Sequence, residues 1–107
     1  LTQSEREIVR RAMHASLSCI ATWEYQTRLG VTKEVVSRLL EAWPNVDDSE
    51  DGSHTCRAIN NALNEILHGV RLTDEEVQSL MNANRAEIGR VYHKWAKGRG
   101  RKATGIQ

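Results

Sequence analysis

Glu65 and His68 have a spacing that could support metal chemistry, because residues three apart lie on one face of a helix. Helical di-iron carboxylate proteins use Glu-x-x-His pairs, but they need two pairs and two further carboxylates from facing helices. This sequence has no second pair. His54 and Cys56 likewise lack a companion pair at zinc-finger spacing. We therefore predict no metal centre from the histidines and cysteines.

The acidic stretch around residues 45–55 resembles the opening of a calcium-binding EF-hand loop, with the matching positions Asp47, Ser49, Asp51 and Gly52. Calcium needs a bidentate carboxylate at the twelfth loop position, which is Ala58 here. Pro44 also interrupts the helix that would enter the loop. We interpret the stretch as an acidic, solvated connection between two helices.

No catalytic arrangement can be assembled from local spacing. Local spacing supports neither a Ser–His–Asp nor a Cys–His arrangement, and no Gly-rich phosphate-binding run ending in Gly-Lys-Ser/Thr is present. A small helical chain also has little interior to spare for a substrate pocket. We expect a protein that is not an enzyme and that uses neither a cofactor nor a metal.

Composition predicts an ordinary globular domain. The chain has 107 residues, of which 39% are hydrophobic and 27% charged, which suits one domain. No apolar run approaches the roughly 18–20 residues that span a bilayer, and the N-terminus lacks the layout of a secretory signal. Cys19 and Cys56 do not make a disulfide framework. We expect reduced thiols, no membrane contact and a cytoplasmic location.

Hydrophobic spacing and capping signals predict an all-α fold of four helices, at Thr2–Arg28, Thr32–Trp43, Thr55–His68 and Thr73–Ala96. Capping boxes are predicted at Ser4 with Glu7 and at Thr73 with Glu76. On the first helix, one apolar face is expected to hold Val9, Met13, Leu17, Ile20 and Trp23. The single helical domain would span residues 1–96, and residues 97–107 would form a basic, flexible tail.

Charge is unevenly distributed along the chain. Residues 44–84 carry two basic and eight acidic side chains, whereas residues 85–107 carry seven basic and one acidic. The asymmetry predicts either a basic patch for an anionic partner or neutralisation of one segment by another.

The stretch Leu29 to Leu40, LGVTKEVVSRLL, resembles the turn and recognition helix of helix-turn-helix proteins of the lactose-repressor family. That motif commonly reads Gly-Val-Ser, three variable residues, then Val-Ser-Arg and apolar positions. The matching residues are Gly30, Val31, Thr32, Val36, Ser37, Arg38, Leu39 and Leu40. The sequence departs from the family at Gln26, where a small residue is usual, and in the length of the predicted first helix. A helical hairpin with an ordinary glycine stop remains the alternative.

The resemblance implies a helix-turn-helix-like element at residues 20–43 that reads double-stranded DNA. Its second helix would lie in the major groove, with base readers at Lys33, Glu34 and Arg38. Thr32 and Ser37 would hold phosphates, and the tail would add phosphate contacts through Lys97, Arg99, Arg101 and Lys102. Since one short recognition helix supplies few base contacts, a homodimeric transcription regulator is expected.

A helical module that binds another protein, without DNA binding, is the second hypothesis. The last helix could then offer an apolar end at Val91, Tyr92 and Trp95, although these residues could equally close the core. Exposure of Lys33, Glu34 and Arg38 discriminates between the two. A DNA reader needs them on a protruding helix beside positive potential, whereas an interaction module buries that face or surrounds it with acidic groups.

Overall fold

In the computed structural model, residues 1–50 and 52–98 are described, and all regular structure among them is helical. The α-helices are α1 (Gln3–Cys19), α2 (Thr22–Leu29), α3 (Lys33–Ala42), α4 (His54–Asn64), α5 (Asp74–Met81) and α6 (Arg85–Gly98). A π-helical turn, Glu65–Gly69, extends α4. The prediction of an all-α fold is confirmed, but the predicted number of four helices is wrong.

The predicted first helix is in fact two helices. Ile20 leaves helical geometry at φ −113° and ψ 128°, and α2 begins at Thr22. A straight helix from Thr2 to Arg28 would be about 40 Å long at 1.5 Å per residue. Since the longest dimension of the molecule is 33 Å, the break allows both halves to pack on one core. The run of Ser, Cys, Ile and Thr residues between positions 16 and 22 weakens helix propensity there.

This break overturns two details of the predicted first helix. The capping box is formed by Thr2 and Glu5 rather than by Ser4 and Glu7. Trp23 was expected in the core, but it lies in the first turn of α2 and is 85% exposed. Extending the helical spacing of α1 past Ile20 therefore places Trp23 on the buried face, whereas the structure exposes it.

The predicted last helix is also interrupted. Asn82 ends α5 in the left-handed region at φ 51°, and the Asn84 side chain accepts a hydrogen bond of 2.9 Å from the Glu87 N–H at the start of α6. Asparagine suits both the left-handed position and the N-terminal cap, because its short side-chain amide can form hydrogen bonds with the nearby backbone. The capping box at Thr73 and Glu76 is confirmed. Helix α6 continues past Ala96 to Gly98, so Lys97 is helical.

The core is built around α4, which packs against α1, α2, α3 and α6. Its buried face carries Cys56, Ala58, Ile59, Ala62 and Leu63. From α6, the side chains of Val91, Tyr92 and Trp95 close this core, each with at most 5% of its surface exposed. Of the two alternatives for these residues, the structure therefore shows core closure rather than an apolar end offered to a partner. No helix in the described ranges is long and apolar enough to cross a membrane.

Candidate nucleic-acid interface

Helices α2 and α3 form a compact two-helix unit joined by the turn at Gly30. Gly30 adopts φ 72°, in the left-handed region, and its N–H donates to the Gln26 carbonyl at 2.8 Å. The Thr32 hydroxyl caps α3 by accepting a hydrogen bond of 3.3 Å from the Val35 N–H. The eight-residue α2 removes the excess first-helix length that separated the sequence from the helix-turn-helix pattern.

Apolar side chains of both helices are buried at positions where the motif resemblance places packing residues. The Tyr25 and Leu29 side chains of α2, Val31 of the turn and Val36 of α3 are each at most 3% exposed. Leu39 packs against this cluster while half-buried. Gln26, at the position where a small residue was expected, is exposed and does not crowd the helix crossing.

Polar contacts fix the turn to the rest of the molecule. The Asn61 Nδ2 atom of α4 donates to the Leu29 carbonyl at 2.8 Å, which satisfies an acceptor at the end of α2. The Arg28 guanidinium donates to the Glu65 carboxylate at 3.0 Å, so Glu65 belongs to an ion pair. His68, the other member of the Glu-x-x-His pair, is exposed in the π-helical turn.

Lys33 is directed into the protein. Its Nζ atom donates to the Leu17 carbonyl at 2.9 Å and lies 5.4 Å from the centre of the Tyr25 ring. The ammonium group thus lies at the carbonyl end of α1, where a cation is favoured by the helix dipole. Contact with a base would require both interactions to be broken.

The other predicted base readers project from α3. Glu34 and Arg38 are exposed, and Glu41 extends the same stripe one turn further, because residues 34, 38 and 41 share a helical face. Arg38 forms no ion pair with any residue in the described ranges. Ser37 is half-buried, and Thr32 is exposed at the start of the helix. In the stripe formed by residues 34, 38 and 41, the carboxylates of Glu34 and Glu41 flank the Arg38 guanidinium.

A basic surface also lies on α6, where Arg90, His93, Lys94 and Lys97 are exposed at helical spacing. Lys94 pairs with Glu5 at 2.8 Å, whereas Arg90 and Lys97 have no ion pair within residues 1–50 and 52–98. Of these four residues, only Lys97 was predicted from the sequence. The sequence signal for this basic surface is the spacing of positions 90, 93, 94 and 97, which places them on one face of a helix. Arg99, Arg101 and Lys102 lie outside the described residues.

Ligands for a metal ion are not brought together in the part of the chain that the structure describes. Asp47 accepts hydrogen bonds from the Ser49 N–H and hydroxyl, and Asp48 accepts one from the Trp95 indole at 2.7 Å. Asp51, the third acidic position of the EF-hand-like stretch, lies outside the described residues. Cys19 and Cys56 are free thiols.

Comparison of the chain with protein-family models, with curated proteins and with solved structures finds no match.

Proposed function

We propose that the chain binds duplex DNA through α2 and α3, with α3 as the recognition helix. The observation that carries this proposal is the geometry of the unit: an eight-residue α2, a left-handed Gly30 and a capped α3 whose outer stripe is exposed. Arg38 is suited to the O6 and N7 atoms of guanine, and Glu34 to the amino group of cytosine. Lys33 is left out of the base readers because Leu17 binds its ammonium group.

Phosphate contacts would come from outside α3 in this proposal. The outer stripe of α3 holds Glu34 and Glu41 beside Arg38, so charge attraction at the recognition helix is small. Arg90 and Lys97 on α6 supply cations that form no ion pair with a described residue, and the sequence continues with Arg99, Arg101 and Lys102. We expect sequence preference to depend on α3 and salt dependence on the basic C-terminal part.

The experiment is a selection of duplexes from a random-sequence pool at about 50 mM salt, followed by fluorescence anisotropy with the selected duplex and its scrambled version. Arg38→Ala should remove the preference for the selected duplex. Arg71→Ala is the matched control, because Arg71 is an exposed arginine outside the two-helix unit that has no ion pair among the described side chains. A pool that yields no preferred sequence, or equal effects of the two substitutions, would contradict the proposal.

Homodimerisation belongs to the same proposal, because paired half-sites double the base contacts of a short recognition helix. Selected duplexes should then contain an inverted repeat, and sedimentation should show two chains per duplex. A single half-site bound by one chain would contradict this part alone.

A protein partner is the second candidate, and Trp23 is the observation that favours it. Tryptophan is enriched among the residues that dominate protein interfaces, and this one is 85% exposed. If α2 binds a protein, Trp23→Ala should abolish complex formation in a pull-down from cell extract while duplex binding is unchanged. Loss of duplex binding would instead assign Trp23 to the DNA surface.

A further inference from the structure

A cleft of about 720 Å³ lies between the start of α1, the segment 43–49 that follows α3, and the end of α6. Small-molecule sites typically have volumes of roughly 300–1,000 Å³. The cleft is distinct from the exposed stripe of α3, although Trp43 at the end of α3 forms part of its wall.

The lining combines an apolar interior with cationic edges. Val9 and Ile59 are each 1% exposed and form part of the lining, so the cleft reaches the core. Trp43 is half-buried, and Trp95 contributes a second indole. Arg6 and Lys94 line the same cleft and are exposed. A site with flat aromatic walls and a few fixed polar groups suits a planar apolar body that carries one charge.

The charges of the lining favour an anion. Arg6 has no ion pair with a described residue, so its guanidinium is available to a ligand. Among the described residues Lys94 pairs with Glu5, at 2.8 Å, and an ammonium group has further donors for a second acceptor. Asp48 is the acidic residue of the lining, and its Oδ2 atom already accepts the Trp95 indole N–H at 2.7 Å.

We propose that this cleft binds a small organic anion with a flat aromatic body. The ring would lie against Trp43 and the apolar interior, and the acidic group would be held by Arg6 with support from Lys94. A guanidinium pairs with a carboxylate or sulfonate through two parallel hydrogen bonds. The proposal goes beyond DNA binding and does not depend on it.

The test is a titration of the full chain, labelled with ¹⁵N, with naphthalene-1-sulfonate. Three tryptophans give three indole N–H signals: Trp43 and Trp95 report on the cleft, and Trp23 reports on a surface outside its lining. Saturable shifts of the Trp43 and Trp95 signals, with the Trp23 signal unchanged, are expected. Similar unsaturated drift of all three signals, or no shift, would overturn the proposal.

Charge selectivity is tested with 1-naphthylmethylammonium, which has the same ring and the opposite charge. Tighter binding of this cation would show that Asp48 dominates the cleft and would overturn the proposal.

A matched pair of substitutions tests the anion contact. Arg6→Gln should weaken naphthalene-1-sulfonate binding by about tenfold or more, because the charge-assisted hydrogen bonds of the guanidinium are lost. Arg71→Gln, at an exposed arginine outside the cleft, should leave binding unchanged. Because Arg6 is exposed, unchanged circular dichroism is expected for its variant. Equal binding by the two variants would contradict the role of Arg6.

Discussion

The Asn61 side chain donates a hydrogen bond of 2.8 Å to the Leu29 carbonyl and thereby links α4 to the turn between α2 and α3. Its Oδ1 atom accepts from Asn60 Nδ2 at 3.0 Å, and Asn60 Oδ1 accepts from the Tyr92 hydroxyl at 2.7 Å. A chain of hydrogen bonds therefore runs from α6 through α4 to the end of α2. These hydrogen bonds hold the turn against the core without covering the exposed face of α3.

Asn61→Ala should destabilise the fold, because it removes a donor from the Leu29 carbonyl and an acceptor from Asn60. We expect the free energy of unfolding to fall by about 1–3 kcal/mol. Urea denaturation measures the change. Asn45→Ala is the matched control, since the exposed Asn45 side chain makes no hydrogen bond with the described residues. Equal stability of the two variants would show that the Asn61 amide is not a structural contact.

Two glycine substitutions should change stability in opposite directions. Gly30→Ala places a Cβ atom at φ 72° and should cost about 1–2 kcal/mol, because the left-handed region is unfavourable for alanine. Gly89 lies within α6 with no heavy atom within 4 Å of an added Cβ, so Gly89→Ala should stabilise by about 0.5–1 kcal/mol. Thermal denaturation of both variants tests the pair. Stabilisation by Gly30→Ala would contradict the conformation of the turn.

Lys33 and Arg38 should separate stability from DNA binding. Lys33→Met should lower the free energy of unfolding by about 1 kcal/mol, because the Leu17 carbonyl loses its donor. Arg38→Met should leave stability unchanged but remove preference for a selected duplex, since Arg38 is exposed and unpaired among the described residues. Urea denaturation and anisotropy give the two measurements. The reverse pattern would make Lys33 the reader.

Neutralising the carboxylates of α3 should strengthen binding to random-sequence DNA. Glu34→Gln and Glu41→Gln each remove a charge that phosphates repel, and each should raise affinity roughly two- to fivefold at low salt, as expected for exposed charges. Anisotropy with a random duplex measures this. Glu75→Gln, on the exposed side of α5, is the control. No difference from this control would place the duplex away from α3.

On a selected duplex, Glu34→Gln should have the opposite effect. If Glu34 accepts a hydrogen bond from a cytosine amino group, its replacement weakens binding at that base pair while affinity for random DNA rises. If the affinity rises for both duplexes, Glu34 acts only by electrostatic repulsion of the DNA.

The stability of the fold should decrease below pH 4.5 as Glu5 becomes protonated. A hydrogen bond from Lys94, followed by one from the Thr2 N–H, lowers the pKa of the Glu5 carboxyl from 4.5 to about 2. Because the folded pKa lies below the unfolded one, this stabilisation is present above pH 4.5 and is lost as the pH falls towards 2. Glu5→Gln should flatten the dependence of urea midpoints on pH in that window. The same slope in Glu5→Gln and Glu75→Gln would contradict this role.

Local signals predicted most of the helical structure. The capping box at Thr73 and Glu76, the cap at Thr32 and the left-handed Gly30 were all readable from neighbouring residues, because caps and turns depend on contacts within a few positions. The burial of Tyr25, Leu29, Val31 and Val36 also follows the spacing of the motif. Asn82 and Asn84 carried an equally local signal for the break between α5 and α6, and it was missed.

Tertiary packing decided what local spacing could not. The break at Ile20 divides the predicted first helix into α1 and α2, both of which pack against α4, and it leaves Trp23 exposed. Likewise, Lys33 is drawn from the predicted reading face to the Leu17 carbonyl, sixteen residues away in sequence. Sequence alone determined an all-α chain with a glycine turn at Gly30 between two helices. Only the folded structure determined which side chains of that stretch remain exposed, because exposure depends on where distant helices pack.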